Sequence, residues 1–77
     1  MWHQFIWHGW EITAKVYDEP SHMGIDGGRV SKLDVFDLER EDFICRYDRG
    51  WDLDELSLAD LSNLMDEIEE RYPPPGA

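Results

Sequence analysis

The sequence lacks several features that would support particular structures or functions. It has one cysteine, Cys45, so no disulfide can form within the chain. Its N-terminus shows no basic leader, and no apolar run approaches the ~18 residues of a membrane span. We therefore expect neither a secretory signal nor a membrane helix. With 77 residues the chain forms one small domain, whose core leaves little room for a substrate-sized cavity.

Candidate catalytic and metal-binding residues do not form a known pattern. The possible metal ligands are His3, His8, His22 and Cys45. Their spacings match no zinc motif, and we expect no metal and no cofactor. Cys45 falls on a predicted core face, which disfavours a reactive thiolate. The neighbouring acids Asp52, Asp54 and Glu55 suggest acid–base chemistry, but we expect so small a domain to offer no cleft around them. We therefore expect no enzymatic activity.

Basic residues are scarce and acidic residues are unevenly distributed. The chain has 7 Lys and Arg against 18 Asp and Glu, a formal net charge of −11. Residues 1–33 contain four acidic and three basic residues, whereas residues 34–77 contain fourteen and four. Ten aromatic residues argue against a disordered chain. Repulsion disfavours free nucleic acid, so a basic protein surface is the expected partner.

Alternating apolar residues predict strands over residues 4–8, 10–17, 29–38 and 43–48. His8-Gly9 is a plausible tight turn, but a single bent strand over residues 4–17 remains an alternative. In the third strand, Leu33 and Val35 are expected to face the core. In the fourth strand, the alternation predicts Phe43, Cys45 and Tyr47 on one face and Ile44 and Arg46 on the other. Residues 53–56 are expected to be an irregular approach to a helix.

A C-terminal amphipathic helix is predicted over residues 57–72, followed by a tail over residues 73–77. Ser57 and Asp60 form a capping pattern, and Pro73 ends the helix. The apolar stripe contains Leu58, Leu61, Leu64, Met65, Ile68 and Tyr72. The predicted fold is therefore α+β, a single domain over residues 1–77. It is a three- to four-stranded antiparallel sheet with this helix packed on one face.

Two stretches resemble a family of small uncharacterised phage and prophage proteins. They are Ser21-x-x-Gly24-Ile25-x-x-Gly28-Arg29-Val30-Ser31-Lys32-Leu33 and Tyr47-Asp48-Arg49-Gly50-Trp51-Asp52. The resemblance extends from Tyr17 to Asp52, about half of the chain, and implies no known chemistry. In size and acidity the chain is also similar to anti-CRISPR proteins. Many of these are phage-encoded, and several imitate the phosphate charge of DNA.

These observations together predict a non-catalytic, phage-encoded inhibitor in the cytoplasm of a host bacterium. Its partner would be a basic nucleic-acid-binding protein or complex, with a type I CRISPR surveillance complex as the specific hypothesis. We expect no direct nucleic-acid binding, no membrane binding, and a monomer or weak homodimer. The predicted partner-binding residues are Glu39, Glu41, Asp42, Asp66, Glu67, Glu69, Glu70, Trp10 and Phe36. The alternative is an accessory or structural phage module that self-associates, or binds a protein, through an aromatic patch or sheet edge.

Overall fold

The computed structural model describes residues 1–76 as an antiparallel sheet with one α-helix and a short 3-10 helix over Ile25–Gly27. The strands are β1 (Trp2–Trp7), β2 (Trp10–Val16), β3 (Val30–Asp37), β4 (Asp42–Asp48) and β5 (Trp51–Asp54), and the helix is α1 (Leu58–Arg71). Each strand pairs with the next, in the spatial order β1-β2-β3-β4-β5. The α+β prediction is confirmed, but the described chain has five strands instead of three or four. Ala77, the last residue of the predicted tail, lies outside the described residues.

A tight hairpin joins β1 to β2 and excludes the single bent strand. His8 and Gly9 have φ values of 55° and 75°, and Trp7 pairs with Trp10 across the turn. Positive φ at both central residues is the type I′ geometry, whose twist matches that of the flanking strands. Glycine adopts this conformation without steric cost.

The core lies between α1 and one face of the sheet. Its fully buried side chains include Ile12, Leu33, Val35, Leu64 and Ile68. Ser57 caps α1 as predicted, because its side chain accepts a hydrogen bond from the Asp60 backbone N–H at 3.0 Å. The predicted apolar stripe is wrong at its first position. Leu58, at the first residue of the helix, is 87% exposed.

A β-bulge in β4 overturns the predicted alternation of that strand. Cys45 pairs with Val35 and Phe43 pairs with Phe36, so Ile44 is an extra residue between the two pairs. Ile44 and Cys45 are consequently both buried in the core. Phe43 instead lies with Phe36, their ring centroids 5.0 Å apart. The alternation of side chains between the two faces of the sheet, which has a period of two residues, is therefore interrupted at Ile44.

The fifth strand replaces part of the irregular approach that the sequence predicts. In β5, Leu53 pairs with Arg46 and Trp51 pairs with Tyr47. The Tyr47 and Trp51 rings meet edge to face, with centroids 4.9 Å apart. Two aspartates in four residues give β5 low strand propensity. Pairing with β4 across a two-residue turn supplies the missing stabilisation.

Arg29 connects the loop after β2 to the C-terminal end of α1. Its side chain is 9% exposed and donates three hydrogen bonds. They reach the Tyr17 carbonyl at 2.8 Å, the Glu69 carboxylate at 2.8 Å and the Tyr72 carbonyl at 2.9 Å. A cation at this end of a helix also interacts favourably with the negative end of the helix dipole.

Candidate partner-binding surface

The four acids near the end of α1 are not equivalent. Glu67 pairs with Arg71 at 2.6 Å, and Glu69 pairs with Arg29 at 2.8 Å. Asp66 and Glu70 are exposed and form no ion pair among the described residues. They lie one turn apart on the outer surface of the helix, where i and i+4 side chains are neighbours. Of these four acids, Asp66 and Glu70 are therefore the ones most available to a partner.

The second predicted acidic cluster lies in the turn between β3 and β4. Glu39, Glu41 and Asp42 are all exposed. The Asp37 carboxylate stabilises this turn by accepting hydrogen bonds from the backbone N–H groups of Glu39 and Arg40, at 3.0 and 3.1 Å. Arg40 approaches Glu55 at 4.0 Å and no acid of α1. The turn follows the end of β3, whereas Glu69 pairs with Arg29 just before its start, so the two acidic patches lie at opposite ends of that eight-residue strand.

The two predicted aromatic contacts lie on opposite faces of the sheet. Trp10 is half-buried on the helix side, where it packs against the core and meets Trp7 at a centroid distance of 5.8 Å. Phe36 follows the core residue Val35 and so points to the other face, against Phe43. A single flat partner surface therefore cannot contact both rings.

Cys45 is fully buried, as the sequence predicts. Burial, followed by the charges of Asp54 and Asp34, raises the pKa of its thiol to about 12. The thiolate is then negligible near neutral pH, which makes Cys45 a poor nucleophile. Within residues 1–76, no three His, Cys, Asp or Glu side chains come together as a metal site would require.

The face of the sheet opposite α1, here called the open face, contains a group of residues that the sequence analysis missed. Lys15 pairs with both Trp2 and Lys32 across the strands. The Lys15 and Lys32 ammonium groups lie 5.9 and 5.8 Å from the centroid of the exposed Trp2 ring. The Lys15 ammonium group also lies 5.3 Å from the centroid of the Tyr17 ring. The two lysines are on different strands, and only the strand register brings them together.

Comparison with known proteins identifies a family without a known function. No helix within residues 1–76 is both long enough and apolar enough to cross a bilayer. No curated protein and no solved structure matches the chain. A family model described as "Domain of unknown function (DUF7678)" matches residues 1–65, which include the whole sheet and the first turns of α1. The chain therefore belongs to the DUF7678 family of domains of unknown function.

Proposed function

We propose that this protein is a non-catalytic inhibitor whose acidic helix surface occupies a basic nucleic-acid-binding site on another protein. The observation that carries the proposal is that Asp66 and Glu70 are exposed and form no ion pair within residues 1–76. Within Leu58–Arg71 there are five acidic residues and one basic residue. A helix advances about 1.5 Å per residue, so Asp66 and Glu70 lie about 6 Å apart along its axis, a spacing of the same order as the ~3.4 Å of axis between successive phosphates on one DNA strand. Carboxylates spaced along such a helix resemble a phosphate backbone to a Lys- and Arg-rich groove.

The first partner to test is a type I CRISPR surveillance complex in a bacterial host, because of the similarity to anti-CRISPR proteins. A purified complex is mixed with a labelled target duplex and increasing amounts of the protein. We expect the protein to displace the duplex, and displacement to weaken as salt rises, because salt screens both sets of charges. If this complex retains its duplex, affinity capture from a phage-host lysate is the next step. Salt-sensitive, nuclease-resistant retention of a DNA-binding protein would support the general proposal. Failure of both experiments would refute it.

A matched pair of variants tests the surface directly. Asp66→Asn/Glu70→Gln removes two unpaired charges, and Glu67→Gln/Glu69→Gln removes two charges that already engage arginines. An exposed ion pair contributes about 0.2–1 kcal/mol, so the first variant should lose roughly two- to thirtyfold in affinity. The Glu67→Gln/Glu69→Gln variant should lose less affinity, although both variants change the net charge equally. Equal losses would show that only net charge matters, and unchanged binding by the first variant would exclude this helix surface.

Self-association is the second candidate function, and the edge strand β1 favours it. Its sequence, Trp-His-Gln-Phe-Ile-Trp, carries no acidic or basic residue other than His3 and has no proline. The described residues pair only one of its edges, and its register with β2 is free of bulges. The other edge strand, β5, is short, bulged and acidic, as protected edges commonly are. Two copies could join their β1 edges far from most of their charge.

Sedimentation velocity distinguishes this candidate from the first. A β1-mediated dimer should be unaffected or strengthened by salt. It should be lost in Ile6→Lys, because Ile6 is 60% exposed on β1 and the substitution places two like charges at the symmetric edge. The matched control is Leu53→Lys on β5, which should dimerise like the parent. A parent protein that stays monomeric at high salt and high concentration would rule the candidate out.

A further inference from the structure

Beside the open face lies a cavity of about 270 Å³ at the ends of β2, β3 and β4. Its lining residues are Tyr17, Ser21, Met23, Ser31, Lys32 and Arg49. Two cations and three hydroxyl groups thus surround one small volume in a chain whose net charge is −11. None of the predicted partner-binding residues contributes to it.

The cations at this cavity lack strong partners. Within residues 1–76, the one carboxylate that Lys32 and Arg49 approach within 4.0 Å is that of the exposed Asp48, at 3.7 and 4.0 Å, which exceeds hydrogen-bond distance. By contrast, the side chains of Arg29, Arg46 and Arg71 each donate a hydrogen bond to a carboxylate. The donors of Lys32 and Arg49 therefore remain available to an anion that can approach within ~2.9 Å.

Ser31 is a buried polar residue without a partner. It is 4% exposed, and its Oγ makes no hydrogen bond within the described structure. Its position follows from a β-bulge: Lys32 pairs with Lys15 and Val30 pairs with Val16, so Ser31 is the extra residue. A buried hydroxyl without a hydrogen bond costs about 1–3 kcal/mol. An acceptor in the adjoining cavity would remove this cost.

Tyr17 provides a further hydroxyl at the mouth of the cavity. The neighbouring Lys15 ammonium group, through its polar contact and its positive charge, together with the Ser31 hydroxyl and the charge of Arg49, lowers the pKa of the Tyr17 phenol. The Ser31 hydroxyl is close enough to contribute to this shift without making a hydrogen bond of ordinary geometry. The cations Lys15 and Arg49 thus both act on the phenol at the mouth of this cavity.

We propose that this cavity binds the phosphate group of a small phosphate monoester. Lys32 and Arg49 would neutralise the dianion, and the hydroxyls of Ser31 and Tyr17 would donate hydrogen bonds to its oxygens. The volume is near the lower limit for small-molecule sites, about 300 Å³, and suits a phosphate with few attached atoms. A polynucleotide fits less well, because a net charge of −11 repels it as a whole.

An adjacent cavity indicates how the rest of such a ligand would be recognised. It has a volume of about 330 Å³, shares Lys32 with the first cavity, and is lined by Trp2, Asp34 and Asp52 among others. A flat ring bearing N–H groups could stack on Trp2 and donate to a carboxylate, as a nucleobase does. Inorganic phosphate and a nucleoside monophosphate would therefore both bind the cavity at Ser31, Lys32 and Arg49. Only the nucleoside monophosphate would also occupy the adjacent cavity at Trp2.

The test is a titration of the full chain, labelled with ¹⁵N, followed by NMR at constant ionic strength. Inorganic phosphate, adenosine monophosphate and sodium chloride are the three probes. We expect saturable shifts of the Ser31, Lys32 and Arg49 amides with both phosphates and none with chloride. Tighter binding of adenosine monophosphate, accompanied by shifts at the Trp2 indole N–H, would assign the ring to the adjacent cavity. Equal affinities would restrict recognition to the phosphate group.

Two variants and a matched control make the result decisive. Arg49→Gln should weaken phosphate binding about tenfold, the loss of one charge-assisted hydrogen bond, whereas Arg40→Gln in the β3–β4 turn should not. Ser31→Ala should also weaken it, yet leave the protein equally or more stable, because it removes an unpaired buried hydroxyl. The absence of saturable shifts, or an equal loss in Arg40→Gln, would overturn the proposal.

Discussion

Replacing Leu64 with alanine tests how α1 holds the fold together. Leu64 is fully buried between the helix and the sheet, and the substitution removes three carbon atoms. Lost burial contributes about 0.8 kcal/mol per carbon, and the remaining cavity raises the total to about 2–5 kcal/mol. A domain of this size has a stability of roughly 4–12 kcal/mol, so the change removes a large part of it.

Leu58→Ala is the matched control, because it is the same substitution on the same helix at a side chain that is 87% exposed. We expect it to change stability by no more than about 0.5 kcal/mol. Thermal unfolding followed by circular dichroism measures both variants. A loss of 3 kcal/mol should lower the Tm of Leu64→Ala by about 12–24 °C. If the two variants unfold at the same temperature, α1 does not pack on the sheet as described.

Three further predictions concern other parts of the fold. Gly24→Ala should lower the free energy of unfolding by more than ~2 kcal/mol, because the added Cβ would lie 2.1 Å from the Gly28 carbonyl oxygen. A Cβ added at Gly50 meets no atom within 4 Å, so Gly50→Ala is the control and should unfold in urea like the parent. In the same assay, Arg29→Met should lower the free energy of unfolding by about 3 kcal/mol, because it removes three hydrogen bonds. Arg40→Met should leave the stability almost unchanged, and equal effects of the two substitutions would contradict the role of Arg29. Because the fold raises the Cys45 thiol pKa from 9.0 to about 12, the folded state retains a proton that the unfolded chain loses between these values. The stability advantage of the parent over Cys45→Ala should therefore be full below pH 9 and shrink by up to about 4 kcal/mol by pH 12; a constant difference would show that the thiol pKa is not raised.

Much of the fold follows from local chemistry in the sequence. The Ser57 cap, the spacing of Leu61, Leu64 and Ile68, and the prolines after Tyr72 were sufficient to predict α1. The alternation around Leu33 and Val35 was sufficient to predict β3 and the face it buries. These features depend on neighbours within one or two turns or on a period of two, so a sequence contains them directly.

Features that depend on distant partners were not predictable in the same way. The β4 bulge changes the face of Phe43 and Ile44, and the acidic strand β5 forms only because β4 provides a pairing edge. For the same reason the sequence predicted the acids on α1 but not that Arg29, a distant residue of the chain, already engages Glu69. The Arg71–Glu67 pair, by contrast, is a local i,i+4 contact within the helix.

The clearest division between sequence and tertiary structure concerns charge. The sequence alone determined that the protein is strongly acidic and that residues 34–77 contain most of that charge. Lys15, Lys32 and Arg49 come from three separate segments of the chain, so no local sequence pattern predicts that they lie near one another. Strand register places the two lysines side by side, and the β2–β3 bulge places Ser31 beside them. Electrostatic interactions act through space, and only the tertiary structure decides which charges become neighbours.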